Sequence, residues 1–220
     1  DKIAATKKLT IKSKIYHLIM DQNGNETYVV SSSDRITEIY QSAFQIDIEH
    51  ILQFGQPRND IFYDATLIDT KMSMWKNKRA IVYMPTHRLE GRTEIDIAKL
   101  FDLDKLDAFC EENNCVFVIK KHFYHRDEKV AGIERYRNII DITTTAVDPQ
   151  ILLKNTDLLI CDYSSAYIDY LLLDRPIVFY NYDLENYLVA DREMYFDYNE
   201  VAPGPQVRTF DELYDVLQQE

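Results

Sequence analysis

Five short apolar runs recur along the last two thirds of this chain, and their spacing does most to narrow what it can fold into. They are Ala80–Met84 (AIVYM), Cys115–Ile119 (CVFVI), Ile139–Ile142 (IIDI), Leu158–Cys161 (LLIC) and Ile177–Tyr180 (IVFY). Runs that are apolar at nearly every position, not at alternate ones, suit strands buried on both faces of a parallel sheet. Parallel strands need long crossovers, and the intervening segments carry helical patterns. Ile97, Leu100, Leu103, Leu106 and Phe109 recur at helical spacing and predict one helix over 95–112. Short helices are expected over 148–154 and 164–173, and Thr209–Glu212 (TFDE) has the form of a capping box opening a last helix to Gln219. Strand and helix alternating in this way indicate a doubly wound α/β domain of Rossmann type.

The first quarter reads as a smaller βαβ piece. Thr27–Ser31 is strand-like, Ser33-Asp34 can cap a helix through Phe44, and His50–Phe54 is a second strand ended by Gly55-Gln-Pro57. Residues 56–78 are polar, with a lone Trp75 and the run Lys76–Arg79, and suit a connector. The expected organisation is therefore 1–75 as the end of a preceding α/β domain and 76–220 as a complete Rossmann-type domain.

Ligands of such sheets bind beyond the carboxyl ends of the strands. That rule selects Pro85–Arg88, Lys120–His125, Thr143–Thr145 and Asp162–Ser165. The charge balance decides how they are read. With 25 Lys and Arg against 37 Asp and Glu, the net charge of -12 disfavours a nucleic-acid partner. Arg88, Lys120, Lys121, His122 and His125 gathered on one edge would still make a local site for an anion. A strand turning into a helix at Ser164-Ser165 offers backbone N–H groups, a positive dipole end and two hydroxyls to a phosphate. Ordinary capping by serine is the competing reading there, as capping is for Asp148 and structural hydrogen bonding for His122. Tyr163, Tyr167 and Tyr170 read as core.

Several other chemistries lack their signatures: there is no GxSxG, GxGxxG, Walker A or HExxH pattern. No carboxylate or thiolate stands at ligand spacing beside His87, His122 and His125, so no metal is expected. Cys110, Cys115 and Cys161, an odd number without CxxC spacing, read as buried thiols in a reducing cytosol. No apolar run approaches the roughly 18 residues of a membrane span. Asp1-Lys2-Ile3 carries neither an initiator Met nor a leader core, and is expected to open a piece of a longer chain.

Eight segments, in order, resemble the CDP-glycerol glycerophosphotransferases, or teichoic acid polymerases. Gly55–Asp60 (GQPRND) resembles G-x-P-R-N-D, Tyr83–Arg88 (YMPTHR) the family's A-P-T-W-R, Lys120–His122 its K-x-H, and Asp157–Ser165 (DLLICDYSS) its D-x-L-I-T-D-Y-S-S. Arg175–Phe179, Asp183–Tyr187, Arg192–Tyr195 and Pro203–Pro205 are similar to its K-P-I-x-F, Y-D-x-x-x-Y, R-G-x-Y and P-G-P. The resemblance implies a two-domain, GT-B-like fold, with the nucleotide on the C-terminal Rossmann domain and the acceptor on the N-terminal one. It implies transfer of a polyol phosphate from a CDP-activated donor to a polymer or lipid-linked acceptor, with release of CMP at the cytoplasmic membrane face. His122 would be the catalytic residue, offsetting charge on the donor diphosphate. Thr86, Arg88, Lys120, Asp148, Asp162, Ser164 and Ser165 would line the nucleotide site. No cofactor is implied.

The chain also departs from the pattern. Ala4–Lys8 (AATKK) resembles the stretch just downstream of the family's W-H-G-type motif, whose histidine acts as base on the acceptor hydroxyl, so that base is expected to lie before this chain. His17 and His50 do not match it. His87 stands where the family usually has Trp, and Glu193 where it has Gly. Membrane contact is expected only through regions outside the chain. The rival readings are CDP-ribitol or a nucleotide sugar as donor, or a catalytically silent binding domain.

Overall fold

The computed structural model describes residues 28–64, 75, 77–89, 92–125, 127–128, 130–191 and 194–220. The expectations placed on Ala4–Lys8, His17, Thr27, Arg192 and Glu193 lie outside these residues. The backbone divides into two compact units, residues 1–60 with 192–197 and residues 61–191 with 198–220. Three described residues ahead of β3 are tied into the second unit. Lys154 Nζ donates to the Ile61 carbonyl at 2.9 Å and to that of Asp64, and Trp75 is buried in the second unit's core.

In the first unit β1 (Val29–Ser31), α1 (Asp34–Phe44) and β2 (Ile51–Gln53) form the expected βαβ piece, with Val29 opposite Ile51 in a parallel pair. Ser33 caps α1 by accepting from Ile36 N at 3.3 Å. The second strand starts at Ile51, not His50, because Ile48–His50 winds as a turn of 3-10 helix. Gly55, at φ +86°, ends it by returning its N–H to the Ser31 carbonyl.

The second unit runs β3 (Arg79–Met84), α2 (Ile97–Leu100), α3 (Leu103–Glu112), β4 (Cys115–Ile119), β5 (Ile139–Asp141), α4 (Pro149–Lys154) and β6 (Leu158–Cys161). It continues with α5 (Ala166–Tyr170), β7 (Ile177–Tyr180), α6 (Leu184–Ala190), α7 (Tyr198–Val201), β8 (Gln206–Val207) and α8 (Phe210–Leu217). The six strands are all parallel, in the order β5-β4-β3-β6-β7-β8. This is the doubly wound Rossmann order, and the winding reverses between β3 and β6. Alternation explains the unbroken apolar runs. Ile81, Tyr83, Phe117, Ile119 and Ile160 point to one core, while Ala80, Val82, Val116 and Val118 point to another with Trp75 and Leu152.

Three local outcomes differ from the pattern reading. The helix expected over 95–112 is two helices: Phe101 is extended, at φ -133° and ψ 136°, and Asp102 caps α3 by accepting from Lys105 N at 3.0 Å. Phe101 stays buried, with its ring 4.9 Å from that of Tyr83, so the apolar stripe runs on while the backbone breaks. The helix expected to Leu173 tightens into a 3-10 turn after Tyr170 and stops at Asp174, φ +51°. The strand β8 and the helices α6 and α7 lie in stretches whose residue pattern announces no element. The last helix has its full capping box: Glu212 N donates to Thr209 Oγ1 and Thr209 N to Glu212 Oε2, at 3.3 and 3.1 Å. All three cysteines are buried free thiols.

Candidate functional site

The reversal between β3 and β6 places the ends of these strands side by side, Met84 opposite Cys161, and lets the chains beyond them diverge. Asp162, the first residue past β6, is fully buried, and its carboxylate accepts three hydrogen bonds. Its Oδ1 accepts from Thr86 N at 2.8 Å and Tyr163 N at 2.6 Å, and its Oδ2 from Arg88 Nη2 at 2.8 Å. Arg88, only 6% exposed, spends its other donors close by. Nε and Nη2 form a bidentate pair with Asp183 at 2.8 and 3.0 Å, and Nη1 donates to the Thr86 carbonyl at 2.5 Å. Tyr163 and Tyr187 stack at 4.1 Å beside the guanidinium, and Tyr163 OH donates to Asp183. Burial works against the Arg88 charge, but Asp162 and then Asp183 outweigh it and raise its pKa further. Burial, reinforced by Asp183, likewise pushes the Tyr163 phenol up. The loops after β3, β6 and β7 thus share one ionic hub.

The remaining expected residues fall on the same edge with different commitments. Lys120 Nζ donates to the carbonyls of Ile142, Thr143 and Thr145 at 3.2, 3.3 and 2.9 Å, and burial lowers its pKa. It ties the loop after β4 to the loop after β5. Lys121 and His125 turn inward, 3% and 0% exposed, onto Glu128. His122 lies between them and is half-buried. Its Nδ1 accepts from Tyr124 N at 3.4 Å, which leaves Nε2 as the ring nitrogen turned away from that bond. The His122 ring stands 4.7 Å from that of His87 and 4.8 Å from that of Tyr124, which joins the β3 loop to the β4 loop.

Thr86 Oγ1 is buried and, among the described residues, has no hydrogen-bond partner. Ser164 Oγ accepts from Ala166 N at 3.3 Å, whereas Ser165, the residue heading α5, makes no side-chain capping bond and is exposed. Asp148 caps α4, accepting from Gln150 N and Ile151 N at 2.8 and 3.2 Å. Tyr167 and Tyr170 are core.

Thr86, Arg88 and Asp162 are therefore joined directly, His122 meets the β3 loop through His87, and Lys120 and Asp148 serve neighbouring loops. Reading by strand ends missed Asp183 and the tyrosines around Arg88. The same rule applied after β7 reaches Asp183, and a buried arginine demands a carboxylate from somewhere. Among the described residues no group of three His, Cys, Asp or Glu side chains is arranged to hold a metal ion. No described helix is long and apolar enough to cross a membrane.

The family model for CDP-Glycerol:Poly(glycerophosphate) glycerophosphotransferase matches residues 4–220. The teichoic acid poly(ribitol-phosphate) polymerase of Bacillus spizizenii is 30% identical over 204 residues, covering 89% of this chain and 32% of that protein. The teichoic acid poly(glycerol phosphate) polymerase of Bacillus subtilis is also 30% identical, over 208 residues that are 89% of this chain and 27% of that one. The chain thus spans about a third of the length of such relatives. Among solved structures, the wall teichoic acid polymerase TagF superposes with a TM-score of 0.74 at 28% identity, over 98% of this chain and 55% of its own. The UDP-GlcNAc 2-epimerase of Methanocaldococcus jannaschii, at 13% identity and a TM-score of 0.52 over 94% of this chain and 57% of its own, shares the GT-B-like fold alone.

Proposed function

The chain belongs to the CDP-glycerol:poly(glycerophosphate) glycerophosphotransferase family, and from that premise we propose that it is the donor-binding half of a polyol-phosphate transferase. The donor is a CDP-polyol, and the acceptor is a growing teichoic-acid-like or capsular polymer or its lipid-linked primer. In the complete protein the reaction takes place at the inner face of the cell membrane. The acceptor hydroxyl attacks the phosphorus bearing the polyol. The bond to the bridging oxygen breaks, that oxygen leaves with CMP, and the hydroxyl proton passes to a general base.

The observation that carries the reading is the reversal of winding between β3 and β6, which puts Thr86 and the 162–165 turn at the place where doubly wound sheets hold nucleotides. On this reading His122 offsets charge on the diphosphate as CMP departs, with Nε2–H as the donor. Ser165, its hydroxyl uncommitted to capping, holds a phosphate oxygen. The buried Thr86 hydroxyl is supplied with a partner by the ligand. Arg88 and Asp162 serve the site differently from a direct contact: they hold the three loops in register, since their bonds are already taken within the protein. Lys120 braces the 142–145 loop and Asp148 caps α4.

A relative named for ribitol phosphate and one named for glycerol phosphate are both 30% identical to this chain, so calorimetry must decide the polyol. Titration with CDP-glycerol, CDP-ribitol, CDP and a UDP-sugar is expected to give binding to the cytidine nucleotides and none to the UDP-sugar. No cytidine-nucleotide binding at millimolar concentration would overturn the proposal.

A further inference from the structure

One carboxylate grips the residues on both sides of the His122 turn. Glu128 Oε2 accepts from Lys121 Nζ at 3.0 Å, and the Glu128 carbonyl accepts from the same nitrogen at 3.2 Å. Glu128 Oε1 lies 2.7 Å from His125 Nδ1. The backbone closes the same loop, with His125 N donating to the His122 carbonyl at 2.9 Å and Glu128 N to the His125 carbonyl at 3.0 Å. Lys121 N is fixed in turn to Thr143 Oγ1 at 3.2 Å. Lysine and histidine are rarely buried this deeply without a partner, and here one acid partners both. Burial alone would raise the Glu128 pKa, but His125 and Lys121 hold it below the ordinary carboxylate range, so the acid is ionised and both bonds are charge-assisted where their donors are charged.

Fixing a free loop residue costs backbone entropy. A turn ordered in advance spares a ligand that cost at His122. We propose that Glu128 is a positioning residue for His122: through Lys121 and His125 it holds the 121–125 turn so that the imidazole is set at the carboxyl edge of the sheet before the donor arrives. The proposal rests on the reading of His122 as a contact of the donor diphosphate.

The test is calorimetric titration of the full 220-residue chain with CDP, for the wild type, His122→Ala, Glu128→Gln and the double variant. Glu128→Gln is expected to weaken CDP roughly tenfold, about what a misplaced hydrogen bond to a charged group costs. The double variant is expected to bind no more weakly than His122→Ala alone, because Glu128 acts only through that ring. A merely structural role would make the two losses add, and additive losses overturn the proposal, as does wild-type affinity in Glu128→Gln. If His122→Ala itself binds like wild type, the donor reading of His122 fails and the proposal falls with it. Should Glu128→Gln not fold, Lys121→Met removes one arm of the same grip and is read by the same cycle, with the same two outcomes.

Discussion

Replacing Asp162 with Asn is the sharpest test of the ionic hub, because the substitution keeps the shape and removes only the charge and one acceptor. The Asn oxygen can still accept from Thr86 N and Tyr163 N, in place of Oδ1. The amide nitrogen then faces Arg88 Nη2, donor against donor, where the carboxylate accepted at 2.8 Å. Both side chains are almost wholly buried, so water cannot take over, and breaking a buried pair from one side costs about 3–5 kcal/mol. Asp183 still pairs with the guanidinium, which favours the lower end. At about 2–4 °C per kcal/mol for a domain of this size, the melting temperature of Asp162→Asn falls by roughly 6–20 °C. Urea unfolding followed by circular dichroism measures the loss, and a second variant checks the cause. Arg88→Met added to Asp162→Asn removes the orphaned charge and should recover part of the stability, so the double variant loses less than the sum of the singles. A loss under about 1 kcal/mol for Asp162→Asn, or strict additivity in the cycle, would refute the view that this pair ties the loops together.

Two further outcomes follow from the packing. Gly204 lies where an added Cβ would meet the Ile177 carbonyl oxygen and then the Phe179 ring, so Gly204→Ala must push β8 off the sheet edge, at a cost of about 1–3 kcal/mol in thermal unfolding; an unchanged midpoint would mean the edge strand yields freely. Thr209→Ala removes the capping acceptor of α8 and should cost about 1 kcal/mol in urea unfolding, whereas Thr209→Ser, which keeps the oxygen, should stay close to wild type.

What sequence reasoning could reach follows from how each element is buried. The strands β3, β4, β6 and β7 are legible because burial on two faces makes nearly every residue apolar, Arg79 at the start of β3 excepted, a signal that needs no periodicity. The strand β8 has two residues at the edge of the sheet, with Gln206 exposed and Val207 buried, too short for any pattern. The split between α2 and α3 escaped because apolar spacing records which side chains are buried, and Phe101 is buried whether or not the backbone around it is helical. In the site, the rule of carboxyl ends found Thr86, Arg88, His122 and Asp162, all close to strand ends that the pattern had already located. It credited the charges of Arg88 and Lys120 to a ligand because their partners cannot be seen locally. Asp183 lies 95 residues beyond Arg88, and the oxygens that hold Lys120 are backbone carbonyls, which no residue type announces.

The single guanidinium shared by three loops also sets how this edge can change over generations. Asp162 and Asp183 need the same arginine, so none of these three can drift while the others stand still, whereas Thr86 and Tyr163 meet Asp162 through backbone N–H groups that any residue but proline supplies. A substitution arriving at one of the three must therefore be answered by changes in the other two loops, because each is the partner that keeps the others' charges from being buried alone.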